Sequence, residues 1–285
     1  MPDLTALTRV LVISPHLDDA ALSAWSVLGG RAHCPADVMT VFAGLPAEGV
    51  STDPDRTCGF STGIEAIQAR RREDEEALAG LATRNWWLPL LDRMYVPGGR
   101  RTASESETIV REAEGWLRDH GSPGAQLAIA IPAGAGVHVA SASERGGDHP
   151  RGGRYLAWAR ALKHRVYVRR RKAALAGRGP AHPDHIFVRD AILDALDRLS
   201  SAQILCYEEL PYLWSQRAES EMALLAASRG MTADGFDLAV DRVDKHRHLL
   251  AYKSQLTALD PEGRLLDSTL LPAEERYWTL STSGL

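Results

Sequence analysis

The stretch RVLVISPHLDD, residues 9–19, is the strongest indication of the fold in this 285-residue chain. Its first half, Arg9–Ile13, is a short continuous apolar run rich in branched side chains, which is typical of a strand buried on both faces. Its second half places a histidine and two carboxylates directly after that strand. The stretch therefore predicts a parallel sheet with polar chemistry at the carboxyl end of one of its strands.

The apolar signal returns further along the chain and alternates with helical patterns. Strands are predicted at residues 37–42, 126–131 and 203–207, and helices at 20–28, 62–81, 104–119 and 185–199. Ser61-Thr62 and the pair Ser104-x-x-Glu107 supply N-cap chemistry for two of these helices. Strands alternating with helices favour an α/β, Rossmann-like layered fold, a mostly parallel sheet flanked by helices. We expect a single domain over 1–285, with a further helix within 243–259 and edge strands within 265–280.

Composition excludes several classes of protein. The net charge of −4 argues against nucleic-acid binding by the whole molecule. Met1–Thr8 is too short and polar for a secretory signal, and no apolar stretch approaches the length of a membrane span. The three cysteines lack a C-x-x-C spacing and are expected to be reduced thiols, so we expect a cytoplasmic protein. The turn after the first strand lacks the G-x-G-x-x-G pattern, which makes NAD or FAD improbable.

Two segments, PHLDD at 15–19 and AHPDH at 181–185, gather three histidines and three carboxylates. Within them, potential ligands lie three residues apart: His16 with Asp19, and His182 with His185. Two histidines and one aspartate suit a catalytic Zn²⁺ with a position open for water, and they also suit Fe²⁺ or Mn²⁺. Zinc would lower the pKa of its water to about 7.

Two further residues of these segments, Asp18 and His182, are candidates for proton transfer and charge stabilisation. Asp18 could accept the proton of the water, and His182 could stabilise an oxyanion as imidazolium. The alternative interpretation makes Asp18 and Asp19 helix-capping acids and the histidines incidental.

A strand ending in Pro-His-x-Asp-Asp, followed later by His-Pro-Asp-His at a helix start, resembles the LmbE-like/PIG-L family of zinc-dependent N-deacetylases. Other matching positions are Arg70-x-x-Glu73 with Ala77-Leu78, Leu91-Asp92, and Lys245 with Tyr252-x-Ser254-Gln255. The resemblance covers residues 9–255 apart from one insertion. Leu17 stands where the family usually has proline and Ala20 where it often has an acid, and these departures are closer to the branch that tailors amino-sugar natural products.

The resemblance implies roles for the matching residues. It makes His16, Asp19 and His185 the metal ligands, Asp18 the general base, and His182 the electrostatic stabiliser or acid. It makes Arg70 and Asp92 contacts to sugar hydroxyls, although Arg70 also lies in a charge run that could be a solvated helix face. The implied reaction is hydrolysis of an N-acyl, ordinarily N-acetyl, amide on an amino sugar or glycoconjugate. The alternatives are an amidase acting on a thiol-sugar conjugate and a non-catalytic binding protein on the same fold.

The insertion, residues 138–180, is strongly basic. Eleven basic residues against two acidic ones give it a charge of +9, which leaves −13 for the rest of the chain. Apolar residues at helical spacing predict an amphipathic helix over 154–176. The insertion could be a lid that recognises a large or anionic substrate, a solvated or subunit-contacting arm, or a patch for a membrane surface or nucleic acid.

Overall fold

The computed structural model describes residues 4–29, 34–134, 169, 182–215 and 217–282. The predicted insertion, apart from Arg169, therefore lies outside the described residues. The strands in the described part are β1 (Arg9–Ser14), β2 (Ala36–Thr40), β3 (Ala82–Trp87), β4 (Leu127–Pro132), β5 (Ala202–Tyr207), β6 (Met231–Ala239) and β7 (Glu274–Thr282). They form one sheet in the order β3-β2-β1-β4-β5-β7-β6.

The sheet is mostly parallel, which confirms the predicted fold class. β1 to β5 are parallel, whereas β7 pairs antiparallel with both β5 and β6. The edge strands predicted within 265–280 are corrected: β7 lies inside the sheet, and the edge is β6.

Helices cover the sheet and largely follow the predicted positions. They are α1 (Asp19–Ser23), α2 (Trp25–Leu28), α3 (Asp53–Thr57), α4 (Gly63–Leu78), α5 (Ala103–His120), α6 (Pro183–Leu193), α7 (Glu219–Arg229), α8 (Arg242–Leu249) and α9 (Leu256–Leu259). Short 3-10 turns occupy Leu4–Ala6, Arg93–Tyr95, Pro97–Gly99, Tyr212–Trp214 and Arg264–Leu266. No helix among the described residues is both long and apolar enough to span a membrane.

Side-chain alternation explains why the central strands are mostly apolar. Leu11 and Ile13 of β1 belong to an apolar core with α5, α6 and α7, whereas Val10 and Val12 belong to a second core with α1, α2 and α8. Successive side chains of a strand point to opposite faces. A strand covered on both faces is therefore apolar at most of its positions.

Three helix predictions were wrong in detail. The cap of α5 is Thr102 with Glu105, a reciprocal capping box, and not Ser104 with Glu107. Glu107 instead lies 2.8 Å from Arg198, within salt-bridge distance. The helices predicted over 20–28 and 243–259 are each interrupted, giving α1 with α2 and α8 with α9.

The strand order places a crevice beside the carboxyl ends of β1 and β4. The chain adds β2 and β3 on one side of β1 and then adds β4 and β5 on the other side, so the direction in which the sheet grows reverses there. Ligands of open α/β sheets bind at this switch point. The loop after β1 carries His16, so the fold brings the first predicted segment to this crevice.

Candidate metal centre

Three predicted ligands converge at the crevice although they are up to 169 positions apart. His16 follows β1, Asp19 opens α1, and His185 lies in the first turn of α6. Asp19 Oδ2 is 3.2 Å from His16 Nδ1 and 3.3 Å from His185 Nε2. It also accepts the backbone N–H of His16 at 2.9 Å, which fixes the turn.

These distances fit a first-row metal. Two tetrahedral zinc ligands with bonds of about 2.0–2.1 Å lie roughly 3.3 Å from each other. Both separations at Asp19 are close to that spacing, and the donor set of two imidazoles and one carboxylate is common for catalytic zinc. The residues therefore fit a divalent ion.

Other groupings of ligand atoms overlap with this one. The nitrogens of His16, His182 and His185 lie within 4.8 Å of one another, as do ligand atoms of His16, Asp92 and Asp184. Only Asp19 joins a negative charge to both His16 and His185 at close range. We therefore take His16, Asp19 and His185 as the candidate ligand set.

Buried carboxylates contact the outer nitrogens of both ligand histidines. His16 Nε2 is 3.3 Å from Asp184 Oδ2, and His185 Nδ1 is 3.3 Å from Glu209 Oε1. Asp184 is held in place by Arg101, whose Nε and Nη2 donate to its two oxygens at 2.9 and 2.6 Å. Each histidine thus has a carboxylate on either side.

The carboxylates change the protonation of the histidines. Burial alone would lower the pKa of His185, but the Asp19 charge and hydrogen bonds to Asp19 and Glu209 outweigh it and raise the pKa to about 9. Burial likewise opposes the charged form of His16, yet Asp184 and Asp19 raise its pKa well above the usual value. Protons therefore compete with a metal for this site.

Asp18 lies beside the candidate ligands, and its side chain does not cap a helix. The residue occupies the N-cap position of α1, but its carboxylate makes no capping hydrogen bond, which disfavours the capping interpretation. It is buried and lines the cavity. Burial raises the pKa of Asp18 to about 7, and the Asp19 charge adds to this, while His16 and Arg70 oppose it.

His182 also reaches the cavity, from the N-cap position of α6. Its Nδ1 accepts the backbone N–H of Asp184 at 3.4 Å, which leaves the ring proton of the neutral form on Nε2. Burial lowers the pKa of His182 to about 3, and positive charge on His16 and His185 contributes. This environment favours a neutral imidazole.

The cavity has a volume of about 630 Å³ and is lined by both polar and apolar residues. The polar lining residues include His16, Asp18, Asp19, Arg70, Asp92 and His182. The apolar lining residues include Pro54, Leu210, Pro211, Ala258, Leu259 and Pro261. A volume of this size suits a ligand of one or two sugar rings with an apolar neighbour.

Arg70 and Asp92, the predicted substrate contacts, both line this cavity. Arg70 is 8% exposed, and its Nε has no hydrogen-bond partner among the described residues. Asp92 Oδ2 lies 3.9 Å from His16 Nε2, and its other oxygen accepts the backbone N–H of Met94 at 3.0 Å. A buried guanidinium whose Nε has no partner among the described residues favours a ligand contact over the solvated-face interpretation.

Sequence reasoning missed three residues of the centre. Asp184 stood inside the second segment but was given no role, and Arg101 and Glu209 were not considered. Glu209 carried a usable signal, since it is an acid just beyond the carboxyl end of an apolar strand. Arg101 carried none, because its contact to Asp184 spans 83 positions.

Several solved structures share this fold, among them three structures of deacetylases. The zinc-inhibited form of teicoplanin deacetylase is 21% identical over 97% of this chain and 99% of its own, with a TM-score of 0.63. A deacetylase in complex with teicoplanin is 22% identical, covering 97% and 100%, with a TM-score of 0.61. The deacetylase of the antimicrobial A40926 pseudoaglycone is 22% identical, covering 98% and 99%, with a TM-score of 0.60.

These likenesses span nearly the whole of both chains. At about one identical residue in five they establish the fold, and they confirm the resemblance read from the two histidine segments at the level of the fold. No protein-family model matches the sequence, and no curated protein matches it.

Proposed function

We propose that this protein is a divalent-metal-dependent amidohydrolase, with zinc as the native metal, that removes an N-acetyl group from an amino sugar in a glycoconjugate. The observation that carries the proposal is the approach of His16 and His185 to the same carboxylate oxygen of Asp19, beside a cavity that Asp18 and His182 line together with His16 and Asp19. The deacetylase activity of the proteins that share this fold supports it.

The three ligands would hold the metal, and the remaining groups would move protons. A divalent ion there would act as a Lewis acid on the amide carbonyl and lower the pKa of a water molecule to about 7. Asp18 would accept a proton from the attacking water. Its pKa of about 7 matches proton transfer near neutral pH, although a bound cation would lower that value.

His182 would donate a hydrogen bond to the oxygen on which negative charge develops. Sequence reasoning gave it the role of an imidazolium, but its low pKa favours a neutral ring with the proton on Nε2. A neutral donor in a water-poor cavity still stabilises an oxyanion, because it is oriented before the reaction begins. Asp18 would then return its proton to the departing amine.

Substrate selection would depend on both the polar and the apolar residues that line the cavity. Arg70 and Asp92 would bind sugar hydroxyls, and the apolar lining residues would contact an apolar group joined to the sugar. The proteins of the same fold act on teicoplanin and on the A40926 pseudoaglycone, by their names. We propose a natural product that carries an N-acetylated amino sugar. An anionic group was expected from the basic insertion, and Arg70 is the described lining residue that would meet it.

Acetate release tests the proposal directly. Purified protein loaded with Zn²⁺ should release acetate from at least one member of a panel of N-acetylglucosamine conjugates with apolar aglycones. His185→Ala should lose both the metal and the activity. His120→Ala is the matched control, because this histidine lies at the opposite end of the sheet, beside Trp116. Full activity in a chelated, metal-free protein would refute the metal mechanism.

A further inference from the structure

Glu209 is a buried carboxylate in contact with one of the candidate metal ligands, His185. It follows β5 by two residues and is fully buried. Its Oε1 accepts the backbone N–H of Gly134 at 2.9 Å and lies 3.3 Å from His185 Nδ1. One oxygen atom therefore connects the carboxyl end of β5, the loop after β4 and a ligand of the candidate metal centre.

The Gly134 contact holds the carboxylate where it is. Gly134 has a φ of +73°, a conformation that favours glycine, and a Cβ at this position would meet Arg189 Nη1 at 2.6 Å. Arg189 Nη1 in turn donates to the carbonyl of Ala133 at 2.8 Å. These contacts fix Ala133 and Gly134, and the Gly134 N–H fixes the direction of Glu209 Oε1.

A carboxylate in this position decides which nitrogen of His185 is free. A carboxylate oxygen accepts hydrogen bonds, so the Nδ1 that faces it carries a proton. In the neutral ring that binds a metal, the lone pair is then on Nε2, the atom 3.3 Å from Asp19 Oδ2. The ring also packs edge-on against Tyr212, with centroids 5.4 Å apart, which limits its rotation.

We infer that Glu209 is a positioning residue of the metal centre, which orients His185 and keeps its proton on Nδ1 so that Nε2 binds the metal. The inference rests on the proposed function for the identity of the site. A carboxylate behind a ligand histidine fixes the tautomer and raises the basicity of the ligand nitrogen, and its loss costs roughly 10–100-fold in metal affinity.

Zinc affinity, measured by competition with a chromogenic chelator, provides the test. Glu209→Leu removes the acceptor and should weaken zinc binding on the order of 10–100-fold. Glu209→Gln keeps an oxygen for both contacts and loses only the charge, so its loss should be smaller, below about tenfold. The order wild type, Gln, Leu separates an acceptor role from mere filling of space.

Glu208→Leu is the matched control. Glu208 is the adjacent residue, is equally buried, and accepts a backbone N–H, that of Ala218, at 2.6 Å. Its partners are Arg217 and Ala218 and not the metal centre. Its loss should lower stability while leaving zinc affinity within about twofold. Equal losses of affinity in the two Leu variants would assign Glu209 a purely structural role and overturn the inference.

A second measurement begins with the wild-type protein. In the zinc-loaded wild-type protein, ¹⁵N-histidine spectra should show His185 bound through Nε2, with a slowly exchanging proton on Nδ1. Glu209→Gln should retain this proton and shift its resonance. Binding through Nδ1 would overturn the inference and leave the zinc-dependent hydrolase intact, whereas a wild-type protein without a specific zinc site would overturn both.

Discussion

A carboxylate kept out of helix capping is available for chemistry, and Asp18 is such a group. We predict that Asp18→Asn keeps zinc but lowers kcat by a factor on the order of 10²–10⁴, the usual contribution of a positioned proton-transfer group. Metal analysis and initial rates of acetate release measure both quantities. The control is Asp53→Asn, because Asp53 also lines the cavity but is exposed and pairs with Arg56.

The neighbouring position should respond in the opposite way. Asp19→Asn should lose the metal, since Asp19 Oδ2 is the atom shared between His16 and His185. If Asp18→Asn emptied the site while Asp19→Asn kept its zinc, the roles of the two residues would have to be exchanged.

Zinc affinity should rise steeply with pH. In the metal-free protein His185 has a pKa of about 9, so it is protonated between pH 6 and 8, and the pKa of His16 is also raised. A protonated imidazole cannot bind a metal, so zinc binding must release the proton of His185. The logarithm of the apparent affinity should therefore increase by at least about one per pH unit. Chelator competition at pH 6, 7 and 8 measures it, and a pH-independent affinity would contradict the protonation described here.

Individual residues of the site differed in how far they could be predicted. His16, Asp19, His182 and His185 stand in two short segments whose spacing and place after a strand or at a helix start are legible without coordinates. Arg101 and Glu209 act through contacts that only the tertiary structure brings about. The neutral state of His182 was equally out of reach, because it depends on burial.

At the scale of an element, α4 is joined to its surroundings by a buried carboxylate. Asp74 accepts hydrogen bonds from Tyr252 Oη at 3.0 Å, Asn85 Nδ2 at 3.1 Å and Trp87 Nε1 at 3.4 Å. Burial raises the pKa of Asp74 to about 6 in spite of these donors. Folding therefore moves the Asp74 carboxyl group into surroundings that stabilise its protonated form relative to its ionised form.

This shift makes a prediction about stability. The folded pKa exceeds the unfolded value of about 3.9, so the native state binds more protons and the free energy of unfolding falls as pH rises from about 4 to about 6. A shift of about two pKa units corresponds to roughly 3 kcal/mol. Relative to Asp74→Asn, the wild type should lose up to this amount across that range in chemical denaturation. Glu75→Gln, on the exposed side of α4, should track the wild type at every pH.

The elements that could be predicted are those with packing on both faces. β1, β2, β4 and β5 show apolar runs because two cores enclose them. β3 and β6 carry polar side chains and lie at the two edges of the sheet, where one side lacks a strand neighbour, so their composition resembles that of a loop. The interruptions of the helices depend on local turns that hydrophobic periodicity does not encode.

At the scale of the molecule, a buried ion pair joins the last strand to the first helices. Lys245 Nζ donates to Glu275 Oε1 at 2.7 Å and to the carbonyl of Leu22 at 2.6 Å. Glu275 also accepts the backbone N–H groups of Trp25 and Ser26 at 3.1 and 2.7 Å. The segment that follows the candidate metal-binding turn is thus fixed by β7 and α8.

Breaking this pair on one side should be costly. Lys245→Met leaves the Glu275 carboxylate buried without its cation, and we predict a loss of about 3–5 kcal/mol in the free energy of unfolding. The double variant Lys245→Met with Glu275→Gln should recover part of that loss, because the uncompensated charge is gone. Chemical denaturation of the two variants checks this, and a single variant within about 1 kcal/mol of wild type would contradict it.

The position of β7 determines how late in synthesis the sheet can be completed. The strand enters the sheet between β5 and β6, and its Glu275 binds residues about 250 positions earlier in the chain. The ribosome therefore has to release residues up to the early 280s before β7 can join the sheet and anchor the helix behind the candidate metal-binding turn. Until then the edges of β5 and β6 are open to pairing with other chains. The candidate metal centre is thus completed late in synthesis, after an interval in which unpaired strand edges favour aggregation.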